Sequence, residues 1–379
     1  MKNNLRILVP CILILVSACA AKVKTGNAES LKTEIDKIVQ PLVKGNTNIG
    51  VAVGVMVGEE KLVLGYGKVM FGADRRPDGD TVYEIGSISK VFTGTLLAQL
   101  IREGKLKLDD PVEKLLPDSV HVPVYEKRKI TLQDLSTHVS GLPRLPTNFA
   151  PKDWSNPYAD YTVENLYDFL SNHKLRRKPG EKYEYSNLGA GLLGHILARE
   201  NDKTYEQLLL DRICKPLGMD STRITLTPEL RKRLAPAYTT HGFWKLRIYL
   251  PNRNWDIPTL AGAGAIRSTV NDLLVFMSAN MGKAKTNLQA ACDLAQQERF
   301  KKNDALGIGL GWHMFHFEDF GQPIYWHNGG TGGYRTFLGF TKEKNIGVVL
   351  LSNTQSSVDG AAIEVLQVLH NRKTEDPLP

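Results

Sequence analysis

Apolar residues recur at helical spacing across residues 29–44, where Leu31, Ile35, Ile38, Val39 and Leu42 share one face. The period then shortens. Residues 49–57 and 61–69 are β-prone runs, and the Gly58-Glu59-Glu60 link between them predicts a hairpin. Three more strand-like runs, 324–327, 333–340 and 346–353, precede a last helix near 360–370, with Lys342-Glu343-Lys344 as a turn. From 91 to about 281 the helical period dominates. Thr204-Tyr205-Glu206-Gln207 is a capping box there, and Ser268 leads into a helix at 270–281. Strand segments at both ends of a chain with helices between them predict an α/β architecture. Residues 29–90 and 260–371 build a mostly antiparallel sheet flanked by N- and C-terminal helices, and 91–259 is an inserted all-α region. A groove between the two parts is the default ligand site.

Composition narrows the class without changing that picture. With 379 residues, 42% hydrophobic and 23% charged, the chain has the make-up of a globular protein and not of a polytopic membrane protein or a disordered one. Its net charge of +8 comes with neither a zinc-finger spacing nor an aromatic-interleaved basic stripe, so no nucleic-acid partner is expected. Lys2 and Arg6 precede the apolar run 7–16, which is shorter than the roughly 20 residues a membrane span needs and matches a signal-peptide core. That run ends in Val16-Ser17-Ala18-Cys19, which resembles a bacterial lipobox. The resemblance implies a signal peptide at 1–18, a lipidated Cys19, a polar tether at 19–28 and a periplasmic lipoprotein. Ala20 in place of aspartate implies the outer membrane by the lipoprotein sorting rules. Residues 372–379 read as a tail. Beyond the N-terminal segment that holds Cys11 and Cys19 only Cys214 and Cys292 remain, and no His-Glu-x-x-His occurs, so neither a disulfide framework, a metal nor a cofactor is implied.

Three short stretches carry candidate chemistry. Gly86-Ser87-Ile88-Ser89-Lys90 follows the strand-like 81–85 and opens a periodic helix that runs to about Arg102. Ser87 and Lys90, three apart, share a helix face. At a helix N-terminus the dipole stabilises an oxyanion developing near Ser87, while the same field and partial burial lower the Lys90 amine toward a usable base. A capping serine with a surface lysine would show the same spacing. Tyr185-Ser186-Asn187 lies between the turn Lys178-Pro179-Gly180 and a helix at 188–199. Its phenol can shuttle a proton, and its amide can bind a substrate carbonyl and the lysine. An Asn cap behind a core tyrosine would also read this way. The third stretch runs from Trp326-His327-Asn328-Gly329-Gly330 to Tyr334. Its glycines admit a substrate close to the backbone, and the Gly330 N–H can join that of Ser87 as an oxyanion donor. A glycine-rich hairpin bearing an exposed histidine is the plainer alternative. Among the other histidines, His138 reads as a hydrogen-bonded structural residue and His195 as a semi-buried one, while His313 and His316 alternate along a strand. A Ser-His-Asp hydrolase would need a Gly-x-Ser-x-Gly elbow, and none is present.

Together, in this order and at these separations, the three stretches resemble the serine β-lactamase and penicillin-binding protein superfamily, nearest its class C β-lactamase-like branch. Further phrases support the resemblance over roughly residues 30–370: Leu135-Ser136-Thr137-His138-Val139-Ser140-Gly141-Leu142-Pro143, Pro216-Leu217-Gly218-Met219, Ala261-Gly262-Ala263-Gly264 and Gly309-Leu310-Gly311-Trp312. The resemblance implies a β-lactamase-like fold. It also implies that Ser87 is the acylated nucleophile, that Lys90 and Tyr185 share the base and acid roles, and that Asn187, His327, Gly329 and Gly330 bind the substrate. The implied substrates are D-Ala-type peptides of peptidoglycan, as for a DD-carboxypeptidase or endopeptidase, or β-lactams. A β-lactamase, an esterase, or a penicillin-binding sensor that does not turn over would use the same residues. His327 stands where β-lactamases usually carry lysine, and Asn328 where they carry Thr or Ser, which implies a weaker hold on a substrate carboxylate.

Overall fold

The computed structural model describes residues 30–45, 47–243, 246–283 and 288–372. The expected leader, Cys19 and the tether lie outside the described residues, as does the tail beyond Arg372.

The period-two runs form strands β1 (Gly50–Val57) and β2 (Glu60–Gly67), joined by the expected tight turn with Gly58 at φ +62°. A short β3 (Tyr83–Glu84) follows, then, far along the chain, β4 (Ala237–Phe243), β5 (Leu246–Asn252) and β6 (Arg267–Ser268). The closing strands are β7 (Phe300–Asn303), β8 (Leu306–Ile308), β9 (His313–Phe315), β10 (Ile324–Gly330), β11 (Arg335–Thr341) and β12 (Ile346–Ser352). Eight of them form one antiparallel sheet in the order β2-β1-β12-β11-β10-β9-β8-β7. The two ends of the chain thus meet inside the sheet, with Val51 paired to Ser352 and Val57 to Ile346.

Side-chain alternation gives this sheet two apolar faces. Val51, Val53 and Val55 of β1 and Val348 and Leu350 of β12 pack with Leu31, Ile35 and Val39 of the Leu31–Lys44 helix and Val365, Leu366 and Leu369 of the Asp359–Asn371 helix. The residues between them, Ala52, Met56, Val349 and Leu351, face the opposite way. They join a larger core with Val270, Leu274 and Met277 of the Val270–Asn280 helix and Phe92 and Leu96 of the Ser89–Arg102 helix. Gly54 lets the first of these two helices approach, because a Cβ there would stand 2.4 Å from Val270 Cγ1.

The region inserted between β3 and β6 is mostly helical, as expected, and includes Leu132–Ser136, Val163–Asn172 and Asn187–Arg199. It also holds a hairpin, β4–β5, so 91–259 is not all-α. The β-prone Tyr238-Thr239-Thr240 and Ile248-Tyr249-Leu250 account for it. Its base stands on the end of the main sheet, where the Tyr238 N–H donates to Asn353 O at 3.1 Å. The short strands β7 and β8 likewise extend the sheet beyond the expected set. The helix at 270 is capped by Thr269, whose side chain accepts from the Asp272 N–H, and not by Ser268.

Candidate active site

β3 pairs with β6 and delivers the chain to Gly86, whose φ of +52° turns it into a short 3-10 segment, Gly86–Ile88, ahead of the Ser89–Arg102 helix. No other residue fits there: a Cβ on Gly86 would meet Gly330 N at 2.6 Å, and one on Gly329 would meet Ile85 O at 2.0 Å. The end of β10 is therefore pressed against the turn that carries Ser87. Ser87 is partly exposed, whereas Lys90, one helical turn on, is buried at 2% exposure.

Lys90 Nζ lies 3.0 Å from Ser87 Oγ and donates to Asn187 Oδ1 (2.9 Å) and to Ala263 O (2.6 Å). The last two oxygens only accept, so a neutral amine satisfies them with its two N–H groups and keeps its lone pair for the Ser87 hydroxyl. Burial, aided by the Arg144 charge, holds the Lys90 amine well below its ordinary range. Tyr185 completes the cluster: its phenol is near enough for the Ser87 side chain to act on it, and burial raises it above the ordinary tyrosine value. One group is thus driven toward its neutral, proton-accepting form and the other kept protonated.

The Tyr185 loop rests on the Leu135–Pro143 phrase. His138, held at φ +61°, accepts the Ser186 N–H on Nδ1 (3.1 Å) and the Glu184 N–H on its carbonyl (2.8 Å), and its ring sits 4.5 Å from that of Tyr185. Ser186 donates to Pro143 O (2.7 Å) and caps the Asn187–Arg199 helix by accepting from the Gly189 N–H, so serine and not asparagine is the cap. Asn187 is left free for the lysine, and its Nδ2 donates to Tyr158 Oη at 3.1 Å.

A small cleft opens beside Ser87, lined by Tyr158, Asn187, Trp255, Ala263, Gly330 and Thr331 among others. Of the expected residues, the structure brings Ser87, Lys90, Tyr185, Asn187 and Gly330 together. His327 and Gly329 are placed otherwise, since both are buried, and His327 at 0% exposure lies behind the cleft instead of lining it. The cause is the packing of the Tyr185 and His313 rings over it, with centroids 6.2 and 4.9 Å from that of the imidazole. His327 Nδ1 is 2.6 Å from Asn328 O, a contact that assigns its N–H there. Burial, with His313 and Lys90 adding to it, holds His327 well below the ordinary histidine range, and burial takes His313 down to about 3. His313 is on β9, its Nε2 2.9 Å from Tyr183 Oη, while His316 falls just past the end of that strand.

A profile of the family described as Beta-lactamase matches residues 35–371. The D-alanyl-D-alanine-carboxypeptidase/endopeptidase AmpH of Escherichia coli (strain K12) is 31% identical over 356 residues, covering 88% of each chain. The chain belongs to the Beta-lactamase family. Among solved members, a β-lactamase/D-alanine carboxypeptidase from Yersinia pestis complexed with citrate superposes with a TM-score of 0.78 at 28% identity, over 90% of this chain and 97% of that one. A class C β-lactamase shares the fold, with a TM-score of 0.77 at 24% identity, over 90% and 97%. Like these Beta-lactamase family relatives, the chain is a serine hydrolase.

Family membership makes structural sense of the remaining phrases. Gly94 and Gly311 let the Ser89–Arg102 helix touch the 309–312 loop, where a Cβ on Gly94 would stand 1.9 Å from Leu310 O. Gly262 lies against Gly194, which brings Ala263 O within reach of Lys90. Sequence reasoning missed Tyr158, Trp255, Arg144 and the buried pair Glu84–Arg267 (3.3 Å), in which Glu84 also accepts the Trp255 N–H at 2.9 Å. A charged residue inside each of the two short strands was the only available signal.

Proposed function

We propose that the chain forms a covalent acyl-enzyme on Ser87 and acts on D-Ala-type peptides, as a DD-carboxypeptidase or endopeptidase does. The observation that carries this reading is the Lys90 contact set, in which two fixed acceptors leave one direction, toward Ser87 Oγ, for the amine lone pair. Neutral Lys90 takes the Ser87 proton as Oγ attacks the substrate carbonyl carbon. The Ser87 and Gly330 N–H groups hold the oxyanion. When the C–N bond breaks, the leaving nitrogen takes the Tyr185 proton, and the proton held on Lys90 restores the phenol. Water then cleaves the acyl ester, releasing the shortened peptide and Ser87. The name of the Escherichia coli relative supports the substrate class. The neutral His327 in place of a charged lysine supports peptide or ester over β-lactam.

Mass spectrometry after exposure to a penicillin or to a D-Ala-D-Ala peptide tests this, with an adduct expected on the Ser87 peptide. Labelling of Ser89, Ser140 or Ser186 overturns the assignment. A kcat/KM for a cephalosporin far above that for a D-Ala-D-Ala peptide overturns the substrate class.

We propose in addition that Cys19 carries a lipid that holds the enzyme at the periplasmic face of the outer membrane. The lipobox-like Val16-Ser17-Ala18-Cys19 supports this. Cys19→Ala should move the protein from the membrane to the soluble periplasmic fraction, and equal membrane association of both forms overturns it.

A further inference from the structure

We infer that Arg144 is a specificity-determining residue that receives a carboxylate on the leaving group, one residue beyond the scissile bond; this rests on the acyl-enzyme reading above. Among the described residues two cations stand over the Tyr185 ring: Lys90 Nζ at 4.9 Å and Arg144 Cζ at 5.1 Å from its centroid. The Lys90 contacts are already committed to Ser87, Asn187 and Ala263. Arg144 is exposed, and among the described residues no carboxylate lies within ion-pair distance of it. Its backbone is nevertheless fixed in the site, because its carbonyl accepts the Asn187 N–H at 3.0 Å and the Leu188 N–H at 3.2 Å. The same charge acts on Lys90, Tyr185, Tyr158, Tyr183 and His138, all grouped about Ser87.

Among the described residues the opposite wall offers no comparable group. Asn328 Nδ2 donates to Asp359 Oδ2 at 2.8 Å, so the position that carries Thr or Ser in the resembled motif is turned away, toward that partly buried carboxyl. Arg335 donates to the carbonyls of Thr331 (3.1 Å) and Tyr334 (2.8 Å), bracing the glycine-rich turn. Lys302 lies over Tyr183 instead, 5.0 Å from its ring. If Tyr185 protonates the leaving nitrogen, a guanidinium on the same ring is within the reach of one residue, about 3.5 Å of chain. A planar fork of donors at that distance suits the free α-carboxylate of a single departing amino acid. The leaving group is therefore one whose nitrogen-bearing carbon carries a free carboxylate, as a departing C-terminal residue does.

Two substrate pairs test this by the rate of Ser87 acylation: an acyl-D-Ala-D-Ala peptide against its C-terminal amide, and an acyl-D-lactate ester against its methyl ester. The readout is the ratio of charged to neutral leaving group within each pair. Arg144→Gln should lower that ratio about tenfold, mainly through KM, and Arg144→Lys should restore part of it. An unchanged ratio, or an equal loss on both members of a pair, overturns the role of Arg144. Acylation by the ester pair alone overturns the peptide reading while still deciding Arg144, and no acylation by any of the four overturns both.

Discussion

Lys90 concentrates most of the site's electrostatic tension in one side chain. A buried amine with a depressed pKa disfavours the protonated folded state, and the unfolded chain binds the proton more readily. Between the lowered value and the ordinary 10.5, stability therefore rises with pH, whereas acylation should rise at lower pH, through the lowered value where the folded amine loses its proton, and stay level above it. Lys90→Met keeps the length and removes the amine. We expect Ser87 acylation by a penicillin to fall at least about 1,000-fold while the melting temperature at neutral pH holds or increases, since the cost of holding an amine unprotonated in the fold is gone. A large fall in melting temperature would mean that the three Lys90 contacts hold the fold together more than they serve the reaction. Tyr185→Phe should lower kcat by about 100- to 10,000-fold, with the larger effect on an amide than on an activated ester, whose leaving group needs no proton.

At the scale of elements, the site depends on close backbone approaches. Gly94→Ala sets a Cβ against Leu310 O in a packed core, so the helix bearing Ser87 and Lys90 must shift; about 1–3 kcal/mol of stability should be lost, measurable by urea unfolding. The strands behind Tyr185 carry a second device. His138, His313 and His327 are all buried and all held below the ordinary histidine value. Below pH 6.5 the unfolded chain takes up protons that these imidazoles refuse, so stability should fall with acidification below 6.5, by about 1.4 kcal/mol per pH unit for each imidazole until it titrates in the fold, which for His313 is at about 3. His313→Phe should flatten that slope by one proton. These devices also mark how far the sequence could be read. Ser87, Lys90, Tyr185 and Asn187 were legible because each ends or begins a periodic run, and the period-two strands at both chain ends were legible for the same reason. The β4–β5 hairpin was hidden inside a region judged by its helices. Arg144, Tyr158 and Trp255 were hidden because their places in the site are set by contacts with residues distant in the chain, such as Tyr158 with Asn187. His327 was legible as a residue, but its burial depended on the Tyr185 and His313 rings that the fold packs against it.

The whole molecule places every expected catalytic residue before position 331, yet the sheet that supports them closes only with β12. A chain ending at residue 345 would retain Ser87, Lys90, Tyr185, Asn187 and Gly330. It should nevertheless fail to label with penicillin and should aggregate, because the facing edges of β1 and β11 would lie open. Pairing of Val51 with Ser352 also sets a timetable. The ribosome delivers β12 about 300 residues after β1, a delay on the order of 15–60 s at about 5–20 residues per second. Throughout synthesis the first hairpin has only the Leu31–Lys44 helix beside it, so the nascent enzyme has an unfilled slot where its last strand belongs and stays without a completed sheet until that strand has emerged.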